Sequence, residues 1–318
     1  MAKPQFLVGD LKVTSNLVLA PMDGYTDWPF RSICRELGSA ISYTEFVKAE
    51  DVLNRPQYIR NKIRFREEER PVIIQIYGNR VDTLLEAALC LQEEDPDGID
   101  VNMGCPNRSI AGRGAGAGLM RSPLKVARII KSLTSSLNLP VTAKIRLGWK
   151  DCRNGLLLAR IIEEYGGSLV AVHARSKEQR HDGLPDLPAL SEIKKSLSIP
   201  VLGNGGICRV SDIDAMIAAT SCDGVMIGRG AVLNPWIFSR KDRDEVSPPE
   251  VLDLLLEHLE RSLSFYGPLD GLVLFRKFAA GYLKPYELDP NTRKGLLTET
   301  NPAEFKNKVR KILHMVES

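Results

Sequence analysis

Cys105 is the residue of this 318-residue chain with the clearest chemical setting. It sits in Asn102-Met103-Gly104-Cys105-Pro106-Asn107, just past a short apolar run at Ile99–Asn102. Downstream lies Arg113-Gly114-Ala115-Gly116-Ala117-Gly118, a stretch that reads as too flexible to be there for packing. A free thiol has a pKa near ~8.5 and is mostly protonated at neutral pH, so it can serve as a general acid as well as a nucleophile. No histidine lies close by in sequence to make a Cys–His pair. The bland alternative is a small buried hydrophobe in a turn.

Other polar residues stand at the ends of apolar runs. Lys144 and Arg146 fall in Ala143–Trp149, and His173 and Arg175 follow Leu169–Val172. Gln75 is inside Val72–Tyr77, and Asn204 ends Val201–Gly203. A lysine or amide inside such a run is costly to bury without a partner. Their convergence fits a polar cofactor with a phosphate. Gly203-Asn204-Gly205-Gly206 and Gly228-Arg229-Gly230 are the glycine-rich stretches that could cradle that phosphate through backbone N–H groups.

The elements that position these residues repeat as strand, loop and helix. Apolar runs at Leu17–Ala20, Ala40–Thr44, Val72–Tyr77, Ile99–Asn102, Val141–Ile145, Leu169–His173, Val201–Gly203 and Gly224–Ile227 alternate little, as strands of a doubly covered parallel sheet do. Amphipathic stretches at Val81–Gln92, Pro123–Leu133, Gly155–Tyr165 and Val210–Ala219 lie between them. Ser122 and Pro123 suit an N-cap and N1, and Thr26 or Asp27 could cap a helix through Phe30–Leu37. Eight βα units with polar residues after the strands predict an α/β TIM (β/α)8 barrel, with a doubly wound open sheet as the alternative. A linker is expected at Lys241–Pro249. Beyond it, Val251–Ser264, Leu272–Leu283 and Pro302–Met315 read as helices, with Phe275, Phe278, Ala279 and Tyr282 on one face. The expected division is a barrel over 1–242 and a small all-α helical-bundle domain over 243–318.

Composition excludes several classes. Hydrophobic residues make up 43% and charged residues 26%, which rules out a disordered chain. No run approaches the roughly 18 apolar residues of a membrane span, and Met1–Asp10 has no apolar signal core, so a cytoplasmic protein is expected. The net charge of +3 permits an anionic partner without demanding one. The six cysteines show no C-x-x-C pair or zinc-ligand spacing, so no metal is expected. His181, His258 and His314 read as ordinary surface or interface residues, and Arg60–Arg70 as a solvated face.

Taken together, Ala20-Pro21-Met22-Asp23-Gly24-Tyr25-Thr26-Asp27, Asn102–Pro106, Lys144–Trp149, His173-Ala174-Arg175, Asn204-Gly205-Gly206 and Ile227–Gly230, in that order, resemble the tRNA-dihydrouridine synthases. These are FMN-dependent reductases of uridine in tRNA. The likeness covers roughly residues 15 to 285, departs at Asp23, Ala174 and Gly206, and is closest to the B-type bacterial subfamily. The resemblance implies that hydride from reduced FMN adds at C6 of the base and that Cys105 delivers a proton to C5. It implies that NADPH or NADH reloads the flavin at the same mouth, no G-x-G-x-x-G following a strand. By the same likeness, Pro21, Met22 and Asp23 lie against the flavin, and Gln75 and Lys144 hydrogen-bond its ring. His173, Asn204, Gly205, Gly206, Gly228 and Arg229 then hold the ribityl phosphate. Asn102, Arg146, Arg175, Arg276, Lys277 and Lys284 are implied contacts to the uridine or the tRNA backbone. A monomer is expected. Two rivals stay open: a flavin barrel acting on a free pyrimidine, and a non-catalytic RNA-binding protein that keeps the barrel as scaffold.

Overall fold

The computed structural model describes residues 5–54, 57–150 and 154–317, with side chains to residue 314; the ordinary role expected of Cys152 lies outside them. Eight strands form one parallel path: β1 (Leu17–Leu19), β2 (Ser42–Tyr43), β3 (Val72–Tyr77), β4 (Gly98–Met103), β5 (Val141–Arg146), β6 (Leu169–His173), β7 (Val201–Asn204) and β8 (Gly224–Ile227). Neighbours from β2 to β8 pair in chain order, and β8 pairs back onto β1 from Val225↔Leu17 to Ile227↔Leu19. Between β1 and β2 the Ala40 N–H donates to the Leu17 carbonyl at 2.8 Å, and the Leu19 N–H to Ser39 Oγ at 2.9 Å. First and last strands meet, so the sheet is a nearly closed TIM barrel and the open doubly wound alternative is excluded.

Buried on both faces, the strands separate two apolar layers. Outside the barrel, Ile74, Ile99, Val101, Ile145 and Val172 meet the surrounding helices. Inside, Val18, Ile41, Tyr43, Ile73, Leu169, Ala171 and Leu202 meet Phe6, Val8 and Val13. Those last three belong to an N-terminal hairpin, Phe6–Val8 paired with Leu11–Val13, which sequence reading missed. Gly9-Asp10 is its two-residue turn, with Gly9 at φ +57°. A Cβ on Gly9 would come 3.2 Å from Pro140, just before β5, so the hairpin plugs the N-terminal end of the barrel.

Helix Val81–Gln92 has the expected bounds, and Pro123–Ser136, Gly155–Glu164 and Val210–Thr220 differ from expectation only at an end. Asp27, not Thr26, caps helix Trp28–Glu36, accepting from the Phe30 N–H at 3.2 Å. Ser122 occupies its N-cap without a side-chain bond, the fixed φ of Pro123 doing the pre-organising. Among the described residues no helix is long and apolar enough to cross a membrane.

The C-terminal region is helical: Pro248–Tyr266, Pro268–Tyr282, Pro290–Leu297 and Pro302–Glu317. Each opens on a proline, whose missing N–H costs nothing in the first turn. Phe275, Phe278, Ala279 and Tyr282 are buried as their spacing predicted. His258 corrects the sequence reading: it is fully buried among Phe30, Phe275 and Phe278, with Nδ1 2.8 Å from the Tyr282 hydroxyl. The Arg60–Arg70 run is also more than a solvated face. Glu69 is buried in an ion pair with Arg31, and the Arg64 and Arg66 guanidinium groups lie over Phe265 and Trp28. One apolar cluster runs from the barrel helices into the C-terminal helices. The expected linker is pinned as well, since Asp242 accepts from the Val210 N–H and Arg243 donates to the Tyr282 carbonyl.

Candidate active site

Strand register sets the site. Inward-facing residues recur every second position, so the polar residues of β4 and β5 share one lining. Gln75 stands level with Asp100, Asn102 with Lys144, Arg146 with His173, and His173 with Asn204. Asn102, Lys144, Arg146, His173 and Asn204 lie toward the C-terminal ends of their strands, at the mouth opposite the hairpin plug, with Gln75 and Asp100 deeper in the barrel.

A cavity of about 570 Å³ opens there. Its wall contains Pro21, Met22, Asp23, Asn102, Cys105, Lys144, Arg146, His173, Arg175, Asn204, Gly205, Gly206, Gly228 and Arg229. That volume is ordinary for a cofactor-sized ligand. A cavity of about 590 Å³ on the barrel flank is lined by Arg60, Phe65, Arg70 and Cys90 among others, and holds none of the residues expected to do chemistry. Gln75 is off the wall, fully buried behind Asn102, whose Nδ2 donates to Gln75 Oε1 at 2.9 Å.

The Cys105 loop is fixed. Asn102 Oδ1 accepts from the Gly104 and Cys105 N–H groups at 3.1 and 2.9 Å. The Cys105 carbonyl accepts from the Ala117 N–H at 3.1 Å. This corrects the reading of Arg113–Gly118 as glycine-rich for flexibility. A Cβ on Gly118 would come 2.4 Å from the Ala111 carbonyl oxygen, and Gly116 at φ +53° lies against Cys105, so these glycines serve close packing. Arg146 braces the same loop, donating to the carbonyls of Gly104, Ser176 and Arg180 at 2.8, 3.0 and 2.7 Å. Burial pushes the Cys105 thiol up, against the downward pull of the Asn107 N–H, Arg146 and Lys144.

The opposite wall is cationic. Lys144 Nζ donates to Asn204 Oδ1 at 2.9 Å, and burial with Arg146 nearby brings it down to about 8. Burial, Lys144 and Arg146 hold His173 far below its ordinary value, and burial with Arg175 and Arg229 nearby brings Arg146 down to about 10 against the pull of Cys105. Arg175 donates to the Gly183 carbonyl and lies 3.3 Å from His173 Nε2. Arg229 is exposed on the wall, with no carboxylate paired to it among the described residues. Asp23, the sole carboxylate on the wall among the described residues, is paired with Lys62.

Sequence reading missed His181, which lies on this wall with its ring 5.8 Å from that of His173 and is brought down to about 4 by burial, Arg229 and Arg146. It follows a loop with no motif, so no sequence signal marked it. Asp100 was also missed, although the alternation Asp100, Asn102 inside an apolar strand was a usable signal.

Two of the three implied helical-region contacts are used within the chain. Arg276 donates to the Glu299 carbonyl. Lys277 donates to the Gly24 carbonyl and lies over Tyr25, so it clamps the loop that carries Pro21-Met22-Asp23. Glu45 holds the same loop through the Gly24 N–H. Lys284 is exposed in the turn Lys284–Tyr286.

Residues 18–317 match the family model described as dihydrouridine synthase. The tRNA-dihydrouridine synthase B of Xanthomonas axonopodis pv. citri is 36% identical over 289 residues, covering 88% of this chain and 87% of that one. The enzyme of the same name from Pseudomonas aeruginosa is 36% identical over 285 residues, 87% of this chain and 86% of that one. Among solved structures, 2-naphthoyl-CoA reductase superposes with a TM-score of 0.58 at 10% identity, over 76% of this chain and 52% of that one. Morphinone reductase gives 0.50 at 10%, over 72% and 86%. The structural likeness establishes the barrel and nothing further.

Proposed function

The chain belongs to the dihydrouridine synthase family, and we propose that it is a flavin-dependent oxidoreductase that reduces the C5–C6 double bond of uridines in tRNA. One observation carries this reading. A single cavity joins a thiol whose burial favours its protonated form to a set of cations that no carboxylate among the described residues of the wall neutralises. The first is what a proton donor needs. The second is what a phosphate-bearing cofactor needs.

FMN fits the residues present. A Cβ on Gly205, at φ +111°, would come 2.7 Å from His173 Cδ2, and one on Gly206, at φ +82°, would come 2.7 Å from Pro185. Only glycine keeps that part of the wall open. His173, Arg175, Asn204, Gly205, Gly206, Gly228 and Arg229 would hold the phosphate end. Pro21, Met22, Asp23 and Lys144 would meet the ring, with Gln75 behind them. Bound FMN, reduced by NADPH or NADH, supplies the hydride.

The chain's own side chains do the rest. Lys144, near neutrality in its titration, offers a positive charge where negative charge builds up. Cys105 gives its proton to C5 of the base, and Asn102 keeps the loop from drifting. The target base must leave its stack to reach the cavity. Recognition of the RNA then rests on shape and phosphate contacts, for which the exposed Lys284 is available. We place the enzyme in the cytoplasm as a monomer, without a metal.

The test compares three signals from the purified protein. Flavin absorbance bleached by NADPH or NADH excludes the scaffold reading. Dihydrouridine formed in unmodified tRNA, with no turnover of free uracil or dihydroorotate, excludes the free-pyrimidine reading. Turnover of the free base alone overturns the proposal. Mapping the dihydrouridine lost from a deletion strain then gives the target position.

A further inference from the structure

Asp100 lies one step beneath the cavity, fully buried in β4 and off its wall. Its Oδ1 accepts from Thr142 Oγ1 at 2.6 Å and its Oδ2 from Gln75 Nε2 at 2.6 Å. Gln75 Oε1 accepts from Asn102 Nδ2 at 2.9 Å. Asn102 Oδ1 accepts from the N–H groups of Gly104 and Cys105. The four links make one chain from a carboxylate to the backbone of the Cys105 loop.

The direction of that chain is fixed at both ends. Backbone N–H groups can only donate, so the Asn102 atom facing them is its oxygen. Its nitrogen then faces Gln75, which must present oxygen, and the Gln75 nitrogen in turn requires an acceptor. Asp100 is that acceptor: ionised, or protonated on the Oδ1 that faces Thr142 Oγ1, it presents a bare Oδ2 to the Gln75 nitrogen. The two ends of an amide have nearly the same shape, so packing alone orients neither Gln75 nor Asn102. Turning Gln75 over would set its NH2 against that of Asn102. Turning Asn102 as well would set its NH2 against the loop N–H groups. A buried donor facing a donor is strongly disfavoured.

We propose that Asp100 is a positioning residue, which orients the Gln75 and Asn102 amides and through them clamps the loop that carries the Cys105 thiol. The proposal rests on the reading of Cys105 as proton donor only for its catalytic consequence. The clamp itself belongs to the protein without cofactor or substrate.

Exchanging the two ends of the chain tests this. Asn102→Asp keeps the acceptors for the loop but sets a carboxylate oxygen against Gln75 Oε1. Adding Asp100→Asn lets Gln75 turn over, donating to the new Asp and accepting from the new Asn. The readout is hydrogen–deuterium exchange of the peptide spanning 104–118 in the flavin-free protein, with thermal unfolding to show that each variant folds. Asn102→Asp is expected to speed exchange by on the order of tenfold, the loss of about one buried hydrogen bond. Asp100→Asn alone should leave exchange within about threefold of the parent, and the double variant should return to that range. A double variant exchanging as fast as Asn102→Asp alone overturns the proposal.

If Asn102→Asp does not fold, Gln75→Met and Asp100→Leu replace it. Each should speed exchange, and together they should add nothing, because they cut the same chain. Additive effects overturn the proposal. A clamp that fails these tests leaves the uridine reductase reading intact, and a protein that proves not to reduce uridine leaves the exchange results intact.

Discussion

The two walls of the cavity are built on opposite terms. On the Cys105 wall, Asn102 and Arg146 find their partners within the chain, and the loop they hold is closely packed. On the Arg229 wall, cations crowd one another: His173 and His181 are pushed down partly by Lys144, Arg146 and Arg175, and Asp23 is occupied by Lys62. One wall is finished when the chain folds. The other holds unfavourable charge until an anion arrives, an arrangement that favours binding over the stability of the empty protein.

The largest effect is expected on the finished wall. Cys105→Ala should lower turnover on tRNA by about 10²–10⁴-fold, the contribution of a general acid. Flavin content by absorbance should not change, because the thiol is no part of the phosphate wall. Parent-like turnover would remove Cys105 from proton donation. The second effect belongs to the other wall. Arg229→Ala should weaken flavin retention by about 10–100-fold, the loss of a charge-assisted contact. The flavin-free variant should melt no lower than the parent, because a repelling charge has gone. A clear drop in that midpoint would show that Arg229 already has a partner, and the contrast between the walls would collapse.

The finished wall was also the more legible in sequence. Cys105, Asn102 and Arg146 sit on or just after β4 and β5, whose apolar runs announced them, and the pairing of those strands brought them together. Asp100 followed the same alternation but looked like one polar residue among apolar neighbours, because its meaning lies in a partner on another strand. His181 gave no local signal, since only the fold of a loop brings its ring beside His173. The N-terminal hairpin was lost for a different reason: strands of three residues are too short to show alternation. Lys277 read as an RNA contact because exposure cannot be read from charge, and here a loop carbonyl captures it.

That capture yields the third contrast, between two lysines of the helical region. Lys277→Met should loosen the Gly24 loop and weaken flavin retention a few-fold, as one lost hydrogen bond does. The salt dependence of tRNA binding should not change. Lys284→Glu should leave flavin untouched and reduce the slope of log K against log salt by about one. Equal salt slopes in parent and Lys284→Glu would take the turn at Lys284–Tyr286 off the RNA path.

The smallest effect reads the charge held on the open wall. His181 titrates at about 4 in the folded chain against an ordinary 6.5. The folded protein therefore holds it neutral where the unfolded chain takes up a proton. Its contribution is fully present above pH 6.5 and is lost as pH falls from there toward 4. The ring is exposed enough for solvent to screen the effect to under about 1 kcal/mol, a few degrees of melting temperature at most for a chain of this size. His258, buried and held below its ordinary value, tilts the same curve, so the quantity to measure is the parent minus His181→Gln. That difference should grow between pH 6.5 and 5 in the flavin-free protein. Inorganic phosphate should shrink it, because an anion on this wall raises the folded-state value back toward 6.5. A difference that phosphate leaves unchanged would mean that the anion does not sit beside His181, and would move the phosphate end of the cofactor away from this loop.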